Sequence, residues 1–211
     1  MELTDTLAGL MRQQDAFSVV PKAVDITSLP GLLDLELQLR LGAHSIDSLF
    51  AAKEGAKIPG AALSADGRSV DWNLTRRALN GGASVVFLGL QNRFAQLRRL
   101  ALEVKRLSGH PVHINAYLTP HGSRALPAHR DPYSVFVFQV AGTKRWSLGE
   151  DPVTQTTLAP GDMLHMREGT THAAHTDDSA SLHFTVAMHE SSEPVPGPSP
   201  EGSLAEFLRF V

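Results

Sequence analysis

Residues 112–146 have the sequence VHINAYLTPHGSRALPAHRDPYSVFVFQVAGTKRW, and this stretch gives the strongest indication of the fold. Its first seven residues alternate between apolar and polar side chains, which is typical of a strand with one buried face. The run VFVFQV at 135–140 is apolar on both faces, as in a central strand. Gly142 then turns the chain into a strand that begins at Lys144. The stretch therefore predicts antiparallel β structure.

The same pattern of short strands and turns continues downstream. The turn Ala-Pro-Gly-Asp at 159–162 leads into a predicted strand at 163–166. Residues 181–188 alternate again, with apolar side chains on one face and His183 and Thr185 on the other. Many short strands separated by turns predict an antiparallel barrel or a double-sheet jelly roll.

Helical patterns lie upstream of these strands. Apolar residues at spacings of three and four from 94 to 107 predict an amphipathic helix that ends at Gly109. A shorter helix is predicted over 71–79, followed by a buried strand over 83–90. The leucines between 29 and 41 fit a helix and a strand equally well. We therefore expect N-terminal helices packed on a mostly β domain.

The composition limits the class of protein. A chain of 211 residues with 42% hydrophobic residues favours one folded domain. The formal charge of −3 argues against a basic surface that binds nucleic acid. The lack of cysteine excludes disulfides, iron–sulfur clusters and thiolate zinc sites. Neither a secretory signal pattern nor an apolar run of membrane-spanning length is present, so we expect a cytoplasmic protein without membrane contacts.

The ten histidines are unevenly distributed, since nine lie in the second half of the chain. One of them begins the motif HRD, in which positions i and i+2 of an extended strand direct His129 and Asp131 to the same side. A third donor follows about forty residues later at His172. Two histidines and one carboxylate form the facial triad that binds non-haem iron and leaves coordination positions open. His175 competes with His172 for the third position.

A series of motifs in a fixed order makes the chain resemble the JmjC hydroxylases of the ribosomal oxygenase family. The motifs are NAYLTPHGS (115–123), PAHRD (127–131), VFVFQVAGTKRW (135–146), LAPGDML (158–164), GTTH (169–172) and SLHFTV (181–186). The resemblance covers about residues 75–190. It implies a JmjC-type double-stranded β-helix, the jelly-roll architecture of cupins, with N-terminal helices packed on the barrel.

The resemblance also implies a cofactor, two co-substrates and a set of site residues. Members use Fe(II) together with 2-oxoglutarate and O₂, and release succinate and CO₂. The matching positions make His129, Asp131 and His172 the iron ligands. Lys144 would pair with the distal carboxylate of 2-oxoglutarate, since a buried carboxylate needs a cation. Further contacts to the co-substrate would come from Asn115, Tyr117 and Thr185.

The sequence departs from the family at several positions. Ser134 stands where members often carry a second acid, and His165 and Arg167 replace a tyrosine and a proline. Arg124, Arg130 and Tyr133 flank the expected mouth of the site, where contact with substrate and exposure to solvent remain equal alternatives. Five other histidines are expected to be structural. They are His113, His121, His165, His183 and His189.

We expect two regions in the chain. Residues 1–190 would form a single JmjC-type catalytic domain whose main motifs lie within 83–189. Residues 191–211 begin with SSEPVPGPSPEG, the composition of a linker, and end in a short amphipathic segment. That segment would fold back on the domain or dock on a second copy, so a homodimer is left open. The dimerisation and winged-helix regions of the family have no counterpart in this sequence.

The expected function is hydroxylation of a peptide or protein side chain. A first alternative is hydroxylation of a free amino acid or small metabolite, since the family's accessory regions have no match here. A second alternative is a metal-binding cupin without catalytic activity. The complete triad together with Lys144 argues against that alternative, because a binding module has no need of a 2-oxoglutarate anchor.

Overall fold

The computed structural model describes residues 2–190. The predicted tail at 191–211 lies outside the described residues. The helices are α1 (Leu3–Arg12), α2 (Leu32–Arg40), α3 (Trp72–Asn80) and α4 (Ala95–Ser108). The strands are β1 (Phe17–Val20), β2 (Leu49–Lys53), β3 (Ala56–Pro59), β4 (Ser84–Phe87), β5 (Val112–Thr119), β6 (His129–Arg130), β7 (Ser134–Ala141), β8 (Lys144–Leu148), β9 (Thr154–Leu158), β10 (Met163–Met166), β11 (Thr171–His175) and β12 (Ser181–Met188).

The strands form two antiparallel sheets. The large sheet has eight strands in the order β1-β10-β7-β12-β5-β4-β2-β3, and the small sheet has four in the order β6-β11-β8-β9. Within residues 2–190 the strands do not close into one barrel, so the double-sheet jelly roll is confirmed over the closed alternative. None of the helices in this part of the chain has the length and hydrophobicity needed to cross a bilayer.

Strand β7 is buried on both faces, as its apolar sequence predicts. Phe136 and Phe138 belong to the main core between the large sheet and the helices. Val135 and Val137 point the other way and pack with Trp146 of the small sheet in a second core. Because successive strand residues face opposite sides, one strand contributes to both layers. The site described below lies between the two sheets.

Helices α3 and α4 confirm the two helices predicted from the sequence, whereas α1 was not predicted. Helix α3 begins after Asp71, whose carboxylate accepts a hydrogen bond from the Leu74 amide at 2.9 Å. Helix α4 ends at Gly109, which has the left-handed φ of 76° that favours glycine. The leucine-rich segment that fitted two structures is the helix α2.

Candidate metal centre and active-site cavity

The short strand β6 and its neighbour β11 bring three metal-binding side chains together. His129 and His172 are directly paired in the register of these strands. Asp131 follows β6, and its carbonyl oxygen accepts a hydrogen bond from the Gly169 amide at 2.9 Å. Both the strand pairing and this bond are long-range, so the fold rather than the local sequence sets the separation of the two segments.

The three side chains are close enough to bind one ion. The Nε2 atoms of His129 and His172 each lie 3.7 Å from an oxygen of Asp131. One ligand atom from each residue lies within 4.8 Å of the others. This group could hold a metal ion, and the combination of two imidazoles and one carboxylate matches the facial arrangement expected from the sequence.

The two imidazoles have a defined orientation. Nδ1 of His129 lies 3.0 Å from the Pro127 carbonyl oxygen, and Nδ1 of His172 lies 3.0 Å from that of Thr170. A carbonyl oxygen can only accept a hydrogen bond, so each Nδ1 carries the proton. The lone pair of each Nε2 is then directed toward the other donors, as in known metal sites. Burial also lowers the pKa of His172, which favours the neutral imidazole.

His175 does not join this group. It lies on the opposite face of β11 from His172, because the two positions differ by an odd number of residues. Its Nε2 lies 3.4 Å from Asp177, which also forms an ion pair with Arg145. The structure therefore brings together the triad with His172 and places His175 in a separate, half-exposed cluster.

A cavity opens beside the three metal-binding residues. The empty space within its walls, which includes open solvent at the mouth, is about 560 Å³. Both sheets and the loop between β5 and β6 contribute to the walls. The lining residues are Tyr117, Ala125, Leu126, His129, Asp131, Tyr133, Val135, Lys144, Trp146, Met166, His172, Ala174, His183 and Thr185.

Lys144 is the most unusual of these residues, because its amine is buried and has no ion-pair partner within residues 2–190. The side chain is 3% exposed. Its Nζ donates a hydrogen bond of 2.7 Å to the Thr119 hydroxyl, which in turn accepts one from Ser84. Burial lowers the pKa of Lys144 to about 7. A buried amine of this kind is stabilised by an anionic ligand.

The other expected contacts to a co-substrate divide into two groups. Tyr117 and Thr185 line the cavity. Asn115 is buried, and its Oδ1 accepts a hydrogen bond from the Gly89 amide at 3.1 Å. Among the described wall residues Asn115 is not present. The contact between Asn115 and a co-substrate therefore stays a prediction. The geometry supports the contacts of Tyr117 and Thr185 better, because these two side chains line the cavity.

The structure adds two wall residues that are not among the predicted contacts to a co-substrate. His183, which is predicted to be structural, lines the cavity, and so does Trp146, which also belongs to the second core. His183 stacks on Tyr117 with ring centres 5.0 Å apart. Its Nδ1 and the indole nitrogen of Trp146 are buried without a hydrogen-bond partner within residues 2–190. The alternation that places His183 on the same strand face as Thr185 could have indicated its position.

The three residues expected near the mouth have different positions. Tyr133 lines the cavity, whereas Arg124 lies on a separate polar cleft. Arg130 points away from the cavity, on the outer face of the small sheet. There its Nε donates to the Thr171 hydroxyl at 2.8 Å, and its guanidinium pairs with Glu150. Thr171 also donates to Glu150 at 2.9 Å, which completes a surface network.

Comparison with known proteins identifies the family. A model of the JmjC domain matches residues 89–157 and 150–194, which together make up half of the chain. The chain belongs to the JmjC family. This agrees with the motif series in the sequence and with the two-sheet architecture. The matched region of the JmjC domain contains His129, Asp131, His172 and Lys144.

Two curated relatives show how much of a longer protein the JmjC chain covers. Ribosomal oxygenase 2 of Mus musculus is 31% identical over 150 residues, which are 62% of this chain and 32% of that protein. The bifunctional lysine-specific demethylase and histidyl-hydroxylase NO66 of Drosophila persimilis is 32% identical over 152 residues, 61% of this chain and 21% of that protein. The chain thus spans about a third or less of the length of these relatives.

Solved structures agree with the JmjC fold. The ribosomal oxygenase YcfD of Escherichia coli, solved with cobalt and succinic acid, superposes with a TM-score of 0.66. That match has 17% identity and covers 87% of this chain and 51% of the other. The same protein solved with cobalt and 2-oxoglutarate gives a TM-score of 0.61 at 16% identity, over 94% and 62% of the two chains. At these identities the likeness establishes the fold.

Proposed function

We propose that the protein is an Fe(II)- and 2-oxoglutarate-dependent oxygenase that hydroxylates a side chain of a peptide or protein. One observation carries the proposal: three converging metal donors and a buried amine without a counter-charge share a single cavity. The first feature suits a metal ion with open positions, and the second suits a carboxylate.

The donor set fits ferrous iron. Two neutral imidazoles and one carboxylate supply moderately hard nitrogen and oxygen donors, and three protein ligands leave room for further ligands. The carbonyl groups of Pro127 and Thr170 hold the imidazoles in the required tautomer. The metal ligands are thus proposed to be His129, Asp131 and His172.

The part of the cavity wall that carries Lys144 fits the distal carboxylate of a dicarboxylate, because its charge is opposite to that of the carboxylate. Lys144 offers an ammonium group, and His183 and Trp146 contribute buried nitrogen atoms without partners. A carboxylate that accepts hydrogen bonds from such groups relieves the cost of their burial. Tyr117 and Thr185 are proposed to contact the same ligand. The cobalt and 2-oxoglutarate in the YcfD structure give this assignment additional support.

The proposed reaction balances without further reagents. 2-Oxoglutarate, O₂ and a substrate C–H bond give succinate, CO₂ and an alcohol, and bound iron supplies the activation of O₂ that no side chain can provide. The chain positions the reactants and excludes water. Burial raises the pKa of Tyr117 and of Tyr133, so both remain protonated and serve as hydrogen-bond donors. Leu126, Val135 and Met166 supply the apolar walls.

A protein substrate is favoured over a free amino acid or small metabolite. The names of the relatives describe a ribosomal oxygenase and a bifunctional lysine-specific demethylase and histidyl-hydroxylase, which favours the side chain of a protein as the substrate. A metal-binding cupin without activity is disfavoured, because it would bury the Lys144 amine without any use for it.

Substrate-free turnover tests the proposed function. Purified protein supplied with Fe(II), ascorbate and 2-oxoglutarate should form succinate slowly, as followed by NMR. The variant Asp131→Ala should lose this activity, and His121→Ala, which changes an exposed histidine, should keep it. Equal succinate formation by Asp131→Ala and wild type would contradict the triad assignment. No binding of 2-oxoglutarate to the Mn(II)-loaded protein in calorimetry would contradict the function as a whole.

A further inference from the structure

Helix α2 presents a row of leucines that no described part of the chain covers. Leu33, Leu37 and Leu41 follow one another at intervals of four residues, so they lie on one face of the helix and its C-terminal end. Their exposed fractions are 80%, 55% and 73%. Four of the seven exposed large hydrophobic residues within residues 2–190 lie at 32–41. Such a concentration is typical of a surface that binds another segment. These three residues are called the leucine stripe below.

The nine residues at 203–211 have a composition that suits the leucine stripe. Six of the nine are apolar, and Leu204, Phe207 and Leu208 have the spacing of one helical face. This tail segment (residues 203–211) lies outside the described residues. We propose that the tail segment docks on the leucine stripe of the same chain. The proposal concerns a surface away from the cavity and does not depend on the proposed function.

The described chain ends at a defined place in the large sheet, next to the start of β5. Met188 pairs with Val112 in the register of β12 and β5. The amide of His189 donates a hydrogen bond of 3.0 Å to the Pro111 carbonyl oxygen. The residues that follow therefore leave the domain from the beginning of β5.

The same strand leads back to α2 through a short series of contacts. The Ile114 amide of β5 donates a hydrogen bond of 2.9 Å to Oε1 of Gln91. Two residues further on, the Arg93 guanidinium donates to the Ala43 carbonyl oxygen. Ala43 lies two residues after Leu41, the last member of the leucine stripe.

The linker to the tail segment is long enough to reach the leucine stripe. Followed through these contacts, the path from His189 to Ala43 is roughly 40 Å. The direct distance is shorter, because the path bends at each contact. The residues from Glu190 to Leu204 span up to roughly 45 Å when extended. The tail segment can therefore meet the stripe without any change in the described domain.

A second copy of the chain suits the leucine stripe less well than the tail segment does. A stable interface between separate chains uses about 20–30 residues on each side, whereas the stripe offers three leucines. A segment of the same chain has an effective concentration in the millimolar range, so a small contact is sufficient. The charges beside the stripe also need no partner, because Glu36 and Arg40 pair with each other at 2.6 Å. The stripe thus suits an apolar, tethered segment.

Chemical cross-linking of the full chain tests the proposal. The chain has no cysteine, so Leu37→Cys together with Ala205→Cys introduces one unique pair. A short bismaleimide should join the two within one chain, as mass spectrometry of the monomer band shows. Leu102→Cys with Ala205→Cys is the matched control, because Leu102 is 54% exposed but lies on α4. The stripe pair should react at least about ten times faster. Equal rates, or links mainly between two chains, overturn the proposal.

Melting temperatures provide a second measurement that needs no cross-linker. Leu37→Gln and Phe207→Gln should each lower the melting temperature by about 2–4 °C; glutamine is used because its helix propensity is close to that of leucine. The double variant should lose clearly less than the sum of the two, since both changes remove the same contact. Leu102→Gln with Phe207→Gln should be additive. Additive losses for the stripe pair overturn the proposal, and so does an unchanged melting temperature in both single variants.

Discussion

At the scale of single residues, the position of the imidazole proton decides what each histidine can do. His129 and His172 donate through Nδ1 to backbone carbonyl groups and keep Nε2 free. His175 instead directs Nε2 toward Asp177. The first two therefore have the orientation that the proposed metal ligands need, whereas His175 has another partner.

The two competing histidines can be separated by metal affinity. His172→Ala should weaken Mn(II) binding by roughly a hundredfold or more, because loss of a ligand costs at least as much as loss of its supporting residue. His175→Ala should leave Mn(II) affinity within about twofold of wild type. Isothermal titration calorimetry measures both. The opposite ranking of the two variants would mean that His175 is the ligand.

Lys144 should make 2-oxoglutarate binding depend on pH. Burial lowers its pKa to about 7, and the dianion binds the protonated amine. Affinity should therefore be constant below about pH 7 and fall by up to about tenfold for each pH unit above it. Lys144→Arg keeps a permanent charge and should lose this dependence. A constant wild-type affinity from about pH 6 to about pH 8.5 would contradict the assignment of Lys144 as the anchor.

At the scale of elements, the weakest part of the metal centre is β6, which has two residues and lies at the edge of its sheet. Two of the three donors are on or next to it. On the outer face, Arg130, Thr171 and Glu150 connect β6 to β11 and to the chain after β8. We expect this surface network to hold His129 at the correct distance from His172.

The network gives a prediction that depends on salt. Glu150→Gln should weaken Mn(II) binding about threefold at low salt, because loss of the charge loosens β6. The difference from wild type should disappear at about 0.5 M salt, where exposed ion pairs are screened. Asp177→Asn removes another exposed ion pair of the small sheet and serves as the matched control. A threefold loss that persists at high salt would show that Glu150 acts in another way.

Gly142 lies in the turn between β7 and β8, and the substitution Gly142→Ala tests whether this turn requires glycine. It has a φ of 61°, and a Cβ atom there would lie 1.8 Å from the Ala180 carbonyl oxygen. Gly142→Ala should lower the free energy of unfolding by roughly 3–5 kcal/mol. Gly67 also has a positive φ but open space around it, so Gly67→Ala should cost only about 1 kcal/mol. Chemical denaturation measures both, and equal losses would contradict the steric argument.

Some elements can be predicted from the sequence and others cannot, and the difference depends on which side chains are buried. The strands β8, β10 and β12 lie where they are predicted, because turn residues precede β8 and β10 and the sequence of β12 alternates between apolar and polar residues. The segment α2 remained ambiguous, since leucines occupy both of its faces. Leu35 and Leu39 are buried, whereas Leu33 and Leu37 are exposed. Because leucines also occupy the exposed side of this helix, its sequence does not show the helical spacing of apolar residues. Apolar residues at every second position resemble the pattern of a strand instead.

At the scale of the whole molecule, the metal triad was accessible from the sequence but the complete cavity was not. His129 and Asp131 are two positions apart, and the family resemblance supplied His172. The wall residues Met166 and His183 come from two strands of the large sheet that both pair with β7, and Trp146 of the small sheet joins them only when the two sheets pack together. No local pattern marks Met166 as a wall residue, because its neighbours in the cavity are distant in sequence.

The extent of the folded domain can be tested by truncation. Among the described residues the main hydrophobic core runs from Leu7 to Met188. Because the amphipathic segment at the end of 191–211 is expected to fold back on the domain or to dock on a second copy, a chain that ends at Glu190 should have either a lower melting temperature or a smaller oligomer than the full chain, with the same Mn(II) affinity. Light scattering on the same pair compares their oligomeric states. A large fall in melting temperature on truncation would show that residues 191–211 belong to the folded domain.

The buried amine of Lys144 also has a consequence for the lifetime of the protein. The proposed binding of a dicarboxylate to the native state alone would add about 2.7 kcal/mol to the free energy of unfolding at a hundred times the dissociation constant. Proteases degrade the open form in proportion to its population. The abundance of the protein in a cell would then rise and fall with the supply of dicarboxylate, so that the amount of enzyme reports the metabolic state even before any substrate is hydroxylated.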